Sequence, residues 1–297
     1  MTQTDFTLQG LWLPLVTPFQ DGEVDTASLR RLVRHFAEQP VDGLVLAGTT
    51  GEAMTLSVSE TVKIVQETRS ELAALGREMP VLLGISGSDT RKMSQTLSDI
   101  SGWPVDGYLV CCPYYTRPSQ EGLFGHFSQV ADSTDRPIVI YNIPYRTGVN
   151  LSNDNLLKLA ERKNIVGLKD CSTDPHQAFE LLGERPNGFS IMTGEDLSFF
   201  NALCLGMDGA ILSAAHIHSA EFAQIRQHLL QGELTEARTI WRKLYRLTQM
   251  LFSEPSPAAH KYCLWRQGLI GSPEVRLPMT AATPNLAQQI DRILETV

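Results

Sequence analysis

The runs Pro137-Ile-Val-Ile-Tyr141 and Ile165-Val-Gly-Leu-Lys169 are short and apolar, and a polar stretch with a helix start at Ser152 separates them. Each run is apolar almost throughout rather than alternating, which is typical of a parallel strand buried on both faces. A strand, a crossing helix and a second, parallel strand form a βαβ unit, in which each strand with its following helix is one βα repeat. These residues therefore predict a parallel sheet made of such repeats.

The same pattern recurs at intervals of about 25 to 40 residues. The other predicted strands are Leu11–Val16, Gly43–Ala47, Val81–Ile85, Gly107–Cys112, Phe189–Met192 and Gly209–Leu212. Helix starts lie between the runs: Ser57 with Glu60 makes a capping box, and Pro175 suits a first helical position. Eight such repeats predict an α/β fold, the TIM (β/α)8 barrel. An open doubly wound sheet is the alternative, but no Gly-x-Gly-x-x-Gly follows the first strand.

After residue 218 the strand pattern stops. The remaining segments have helical patterns: Glu221–Gln231, Leu234–Phe252, Pro257–Gly268 and Pro284–Glu295. We expect residues 1–232 to form the catalytic barrel and residues 233–297 to form a C-terminal helical subdomain.

The composition narrows the class of protein. The 297 residues are 42% hydrophobic and carry a net charge of -8, which argues against a nucleic-acid or anionic-membrane partner. No apolar stretch is long enough to span a bilayer, and Met1–Asp5 lacks the signal-peptide pattern. The five cysteines, with Cys111 and Cys112 adjacent, do not form a disulfide framework. We expect a cytoplasmic protein with reduced thiols and no cofactor.

In a barrel of this type the chemistry gathers at the C-terminal ends of the strands. Lys169 ends the sixth predicted strand and Tyr141 ends the fifth, so both are expected at the same height on neighbouring strands. Burial lowers the pKa of a lysine, and its neutral amine attacks a carbonyl to form a Schiff base. A tyrosine hydroxyl nearby can pass protons. Taken singly, a solvated lysine and a core tyrosine are the alternative interpretations.

Other strand ends supply groups that suit a small oxo-acid. Thr49 and Thr50 offer hydroxyls and backbone N–H groups, and Arg146 offers a guanidinium for a carboxylate. Tyr115 lies in a stiff aromatic loop between two prolines. Each has an ordinary alternative: a strand-to-helix turn, a surface charge and an interface contact. Together with Lys169, these residues predict a Schiff-base pocket for a small oxo-acid.

Competing sites have weaker patterns. His216 and His218 have a spacing that suits a metal ion, but no third ligand accompanies them at the strand ends, so we expect no metal site. The segment Thr193-Gly-Glu-Asp196 carries two acids, which makes it a poor phosphate cradle. No Gly-x-Ser-x-Gly motif indicates a serine nucleophile.

Four motifs spread over nearly the whole chain resemble those of one family, the dihydrodipicolinate synthase / N-acetylneuraminate lyase family of class I aldolases. They are Gly48-Thr-Thr-Gly-Glu52, Pro113-Tyr-Tyr-Thr-Arg-Pro118, Tyr141-Asn-Ile-Pro144 with Arg146-Thr-Gly148, and Gly167-Leu-Lys169. The threonine pair, the aromatic loop and the arginine resemble the synthase branch most.

The resemblance implies a set of catalytic residues. Lys169 would form an imine with pyruvate, which tautomerises to an enamine, and Tyr141 would be the general acid/base. Thr49 and Tyr115 would complete a proton relay, with Tyr115 reaching in from an adjacent subunit. The resemblance also implies that the chain assembles as a homotetramer, built as a dimer of dimers.

The resemblance also implies how substrates bind. Thr50 and the backbone of Ile211 would hold pyruvate, and we add Gly194, at the end of the seventh strand, to this substrate-binding set. Arg146 would bind the carboxylate of aspartate semialdehyde. Ring closure would then release 4-hydroxy-tetrahydrodipicolinate, a lysine precursor, and free Lys169.

Two segments depart from the family pattern, Cys171-Ser172 and the Leu212–His216 segment, and we expect both at the pocket mouth. A paralogous pyruvate aldolase, lyase or hydratase-aldolase that acts on another aldehyde or on a 2-oxo sugar acid is therefore the alternative function. A non-catalytic barrel that binds an oxo-acid is a third, which the intact relay residues argue against. Lysine-inhibited members carry histidines and an acid where this chain has Val58, Thr61 and Lys92, so we expect weak or absent inhibition by lysine.

Overall fold

Eight parallel strands close into a barrel in a computed structural model that describes residues 6–294. Around the barrel the strands follow the order β1-β10-β9-β8-β7-β6-β5-β4. The barrel strands are β1 Gly10–Pro14, β4 Gly43–Leu46, β5 Val81–Ile85, β6 Gly107–Cys111, β7 Ile138–Asn142, β8 Ile165–Asp170, β9 Ser190–Thr193 and β10 Gly209–Ile211; a separate antiparallel pair is β2 Phe19–Gln20 with β3 Glu23–Val24. The predicted α/β TIM barrel is confirmed.

Helices connect the strands and continue to the end of the described chain. They are α1 Thr26–Ala37, α2 Val58–Ala74, α3 Thr90–Asp99, α4 Gln120–Ala131, α5 Pro144–Thr147, α6 Asn153–Ala160, α7 Pro175–Glu184, α8 Phe199–Leu205, α9 Ala215–Leu230, α10 Leu234–Leu251, α11 Ala258–Arg266 and α12 Pro284–Leu294. The predicted capping box of Ser57 and Glu60 is present at the start of α2. Asp174 caps α7, and Pro175 occupies its first turn as expected.

Three barrel strands begin at a glycine that follows an aspartate, and the aspartates have a structural role. The carboxylates of Asp42, Asp106 and Asp208 each accept a backbone N–H, from Leu11, Val81 and Ile191 respectively, at 2.7 Å. Each bond satisfies a buried donor at the start of a neighbouring strand, where the ladder of sheet hydrogen bonds has no partner for it. The aspartates therefore fix strand starts across the barrel floor.

By their internal contacts the residues divide into two compact units. Among the described residues, one unit contains Val81–Ile211 with residues 6–10, and the other contains Leu11–Pro80 with residues 212–294. In the first unit the largest buried side chains include Tyr108 and Phe127; in the second they include Trp12 and Phe36. The separation of a barrel at 1–232 from a helical subdomain at 233–297 stays a prediction.

Some sequence expectations fall at the ends of the chain or differ in detail. Two segments lie outside the described residues. They are residues 1–5, which lack a signal-peptide pattern, and residues 295–297, which include the end of the last predicted helix. Helix α9 begins at Ala215, before the predicted Glu221, and has a non-helical residue at His218 (φ -138°, ψ 51°). Within residues 6–294, no helix is both long and apolar enough to cross a membrane.

Candidate active site

Lys169 is buried at the C-terminal end of β8. Its strand register places it beside Tyr141 of β7, and Tyr141 lies beside Cys111 of β6, so the three side chains share one height. The amine Nζ lies 4.3 Å from the centroid of the Tyr141 ring. Lys169 is 6% exposed, and burial lowers its pKa from the ordinary value while nearby thiols and carboxyls oppose the change. This environment favours the neutral, nucleophilic amine.

Tyr141 keeps its proton in the same environment. Burial raises the pKa of its hydroxyl well above the ordinary value, and the charge of Arg146 opposes that change. A protonated phenol can donate a proton to a developing alkoxide and accept it back later. The amine faces the Tyr141 ring, and this contact favours the charged form of Lys169, so it opposes the effect of burial.

Gly194, directly after β9, leaves the space that the lysine side chain occupies. A Cβ at this position would lie 2.3 Å from Lys169 Cε and 2.7 Å from Cys171 Sγ, far inside van der Waals contact. The Gly194 N–H donates to the Asp170 carbonyl at 2.8 Å, which fixes its backbone against β8. A side chain at residue 194 would therefore displace the Lys169 side chain.

A polar network behind the lysine ties two strand ends to the loop beyond β7. Asp170, buried beside Lys169, accepts hydrogen bonds from the amide of Asn142 at 3.3 Å and the hydroxyl of Ser172 at 2.8 Å. Asn142 also bonds to Asn150 at 2.8 Å. Because these groups satisfy one another, they hold the ends of β7 and β8 in register.

Charged side chains of both signs border the lysine in the same unit. Arg146 lies on the short helix α5 and its guanidinium is 5.6 Å from the Tyr145 ring centroid. Burial raises the pKa of Glu195, and a hydrogen bond with Tyr145 and the charges of Lys169 and Arg146 oppose that change. Glu195, an acid with a raised pKa, therefore lies between two cations, Lys169 and Arg146, that both act on its charge.

Tyr115 projects away from its own chain. It is 92% exposed and has a left-handed backbone (φ 71°), as does Arg117 (φ 49°) two residues later. Arg117 bonds to the Gly148 carbonyl at 3.1 Å, and the Tyr114 carbonyl accepts the hydroxyl of Ser88. The loop is thus held firmly while the Tyr115 side chain makes little contact with the rest of the chain.

Thr49 and Thr50 lie in the other unit, in the turn that follows β4. Thr50 is buried and Thr49 is exposed, and the Glu52 N–H closes the turn on the Thr49 carbonyl at 3.1 Å. Ile211 ends β10 and is 1% exposed. The predicted site residues therefore all fall at the C-terminal ends of barrel strands or in the loops directly after them.

His216 is a structural residue rather than part of the pocket mouth. It is buried, its Nε2 accepts the Val16 N–H at 3.2 Å, and its Nδ1 lies 2.7 Å from the Ser213 carbonyl. Both ring nitrogens are therefore engaged with backbone. His218 pairs with Glu221 instead, and among residues 6–294 no group of three His, Cys, Asp or Glu side chains is arranged to hold a metal ion.

Comparisons with known proteins agree with this geometry. A family model described as the dihydrodipicolinate synthetase family matches residues 7–297. 4-Hydroxy-tetrahydrodipicolinate synthase 2 of Clostridium acetobutylicum is 40% identical over 287 residues, 97% of this chain and 99% of that protein. This chain belongs to the dihydrodipicolinate synthetase family.

Solved structures of the family share the whole fold. The dihydrodipicolinate synthase of Thermotoga maritima has a TM-score of 0.93 at 32% identity, over 98% of this chain and 99% of that one. A chloride-inhibited dihydrodipicolinate synthase of Acinetobacter baumannii, complexed with pyruvate, has a TM-score of 0.91 at 32% identity, over 97% of this chain and 98% of that one. The resemblance that the sequence motifs carried is confirmed.

Sequence reasoning names Cys171 as a departure from the family pattern but assigns no site role to three residues that border the amine. Cys171 and Cys111 are the thiols among its electrostatic neighbours, and Glu195 is one of the carboxyls. Their signal was present in part, because Cys111 shares the strand-end height of Tyr141 and Glu195 follows Gly194. What the sequence lacked was the direction of each side chain at the point where the strand ends.

Proposed function

We propose that this protein condenses pyruvate with aspartate semialdehyde through a Schiff base on Lys169 and releases 4-hydroxy-tetrahydrodipicolinate. The observation that carries the proposal is the buried Lys169 amine, 4.3 Å from the Tyr141 ring, in a member of a family whose relatives are named for this product. The reaction places the protein in lysine and diaminopimelate biosynthesis.

In the first half-reaction the neutral Lys169 amine attacks C2 of pyruvate. Tyr141 protonates the oxygen, water leaves, and the imine forms; removal of a methyl proton then gives the enamine. Thr49 and Tyr115 relay the proton between Tyr141 and solvent. The hydroxyl of Thr50 and the backbone at Ile211 and Gly194 hold the pyruvate. The raised pKa of Tyr141 keeps its hydroxyl protonated until the alkoxide forms.

In the second half-reaction the enamine carbon attacks the aldehyde carbon of aspartate semialdehyde, and the new alkoxide takes a proton. Arg146 holds the aldehyde's carboxylate, because a guanidinium binds a carboxylate through two parallel hydrogen bonds. The substrate amine then attacks the imine carbon and displaces Lys169, which closes the ring and regenerates the free amine. One water leaves for each product formed. None of these steps draws on a metal or a cofactor.

The assembly we propose is a homotetramer, a dimer of dimers, in the cytoplasm. The support for an assembly is Tyr115, which is 92% exposed on a tightly held loop although the relay requires it at an active site. A partner subunit would receive it. The five cysteines are free thiols, which suits a reducing compartment. Sedimentation velocity at micromolar concentration tests the assembly.

The chemical test is borohydride reduction in the presence of pyruvate. Wild type should gain one adduct per chain and should turn over aspartate semialdehyde at a rate typical of enzymes, about 10 per second. Lys169→Ala should gain no adduct. Trapping that survives this change would refute the assignment.

A second candidate keeps the imine and changes the aldehyde. The observation that favours it is Cys171, whose sulfur lies against the same Gly194 position as the lysine side chain and which departs from the family pattern. Turnover across a panel of aldehydes separates the two. Higher kcat/KM for another aldehyde than for aspartate semialdehyde would support this second candidate.

A further inference from the structure

The turn after β4 is strained at both ends. Ala47 (φ 47°) and Glu52 (φ 56°) both have left-handed backbones, which side chains with a Cβ adopt only at a cost. Thr49 and Thr50 lie between them. A strained segment of this kind persists only where its surroundings hold it, so its contacts decide where the two threonines lie.

The principal anchor of this turn is the carboxylate of Glu52. The side chain is 2% exposed, pairs with the amine of Lys261 through Oε1, and accepts the Arg276 N–H at 3.0 Å through Oε2. A smaller contact assists, because the Thr17 hydroxyl donates to the Gly51 carbonyl at 2.7 Å. Both partners of the carboxylate come from beyond residue 257, more than 200 residues along the chain from the turn.

Lys261 lies on α11 and is fully buried. Its amine donates to the Glu274 carbonyl at 2.7 Å and lies 4.1 Å from the Phe19 ring centroid, while the Arg276 guanidinium lies 4.2 Å from the same centroid. Burial lowers the pKa of Lys261 to about 8, and the charge of Glu52 is the largest influence that opposes this change. The charge of Lys261 therefore depends on its partner Glu52.

Stability alone does not account for this pair. Removing two opposite charges from water costs as much as their attraction returns, and an apolar pair of the same size is often at least as stable. Such a pair is better explained by the segment that it holds in position. Here Glu52 is the last residue of the turn that carries Thr49 and Thr50.

We propose that Lys261 is a positioning residue for the reaction: its ion pair with Glu52 fixes the turn that presents Thr49 and Thr50. The proposal rests on the proposed function, in which these threonines relay a proton and hold pyruvate. Helix α11 and the segment that ends at Arg276 then act as a support for the catalytic turn rather than as a separate appendage.

The test compares turnover per active site that pyruvate and borohydride can trap. Trapping reports on Lys169, which belongs to the other unit, and it counts only folded sites, so partial unfolding cancels from the ratio. The variants are Lys261→Met and the double variant Lys261→Met with Glu52→Gln, in which neither charge is left unpaired. A matched control is Arg34→Met, which removes the partner of Glu71 on the outer helices.

We expect turnover per trapped site to fall about 10- to 100-fold in both Lys261 variants, since small misplacements of positioning groups cost that much. The KM for pyruvate should rise with it. The control should stay within about twofold of wild type, because the pair of Arg34 and Glu71 does not contact the turn. If the double variant matches wild type per trapped site, or if the control falls equally, the pair has a structural role only and the proposal is overturned. A wild type that traps no pyruvate would instead overturn the proposed function.

Discussion

Gly194→Ala is the substitution whose effect follows most directly from the geometry. The added methyl carbon would lie 2.3 Å from Lys169 Cε and 2.8 Å from Lys169 Cγ. Carbon atoms pack at about 3.5 Å or more, so the lysine side chain must retreat by about 1 Å. A displacement of this size at a reacting group lowers the rate about 100-fold, equivalent to about 2.7 kcal/mol in activation free energy.

The assay is the initial rate of borohydride trapping with pyruvate, together with steady-state turnover. The matched control is Gly125→Ala on α4, because a Cβ there meets nothing within 4 Å. The control should trap pyruvate at the wild-type rate. Adding Cys171→Ala to Gly194→Ala removes the second crowded atom, so part of the lost rate should return.

The refuting result is also defined by the geometry. If Gly194→Ala keeps its thermal unfolding midpoint and traps pyruvate within about threefold of wild type, then Lys169 does not need the space that Gly194 leaves. The buried position of the amine would then not be its reactive position, and the reasoning about the site would be wrong.

Three further predictions concern stability, assembly and regulation. Arg276 lowers the pKa of Glu60 to about 2, so the stability that Glu60 contributes is complete above its unfolded pKa of about 4.3 and is lost as pH falls through about 2. The gap in urea midpoint between wild type and Glu60→Gln should therefore close between about pH 6 and about pH 2, and a constant gap would count against the linkage. Mixing inactive Tyr115→Phe and Lys169→Ala chains should recover activity because mixed assemblies contain complete sites; no recovery after subunit exchange would contradict a relay across subunits. Free lysine should inhibit weakly or not at all, since Lys92 meets it with like charge, and half-inhibition below millimolar lysine would show the opposite.

Local patterns in the sequence predict most of the fold. Buried parallel strands are apolar on both faces, so the runs that include Val81–Ile85 and Gly107–Cys111 are recognisable without any neighbour. Helix starts are local too, as the Ser57–Glu60 capping box shows. The hairpin of β2 and β3 is not predicted, because each of its strands has only two residues.

The site is predictable where one residue type at a strand end carries the chemistry. Lys169 and Tyr141 are of this kind, since strand position alone places them side by side. The support of the site is not predictable in this way. Lys261 and Glu52 are 209 positions apart, and an ion pair over that distance depends on the finished fold. The structural role of His216, expected instead at the pocket mouth, is not predictable either, because its bond to Val16 joins residues 200 positions apart.

The pH dependence of pyruvate trapping, with the adduct located by peptide mapping, tests most directly whether Lys169 is the nucleophile. We predict a single adduct on Lys169. The trapping rate should reach half its maximum below the ordinary lysine pKa of about 10.4, because burial favours the neutral amine. An adduct on another lysine, or a midpoint at or above that value, would contradict the claim that a buried, neutral Lys169 is the nucleophile.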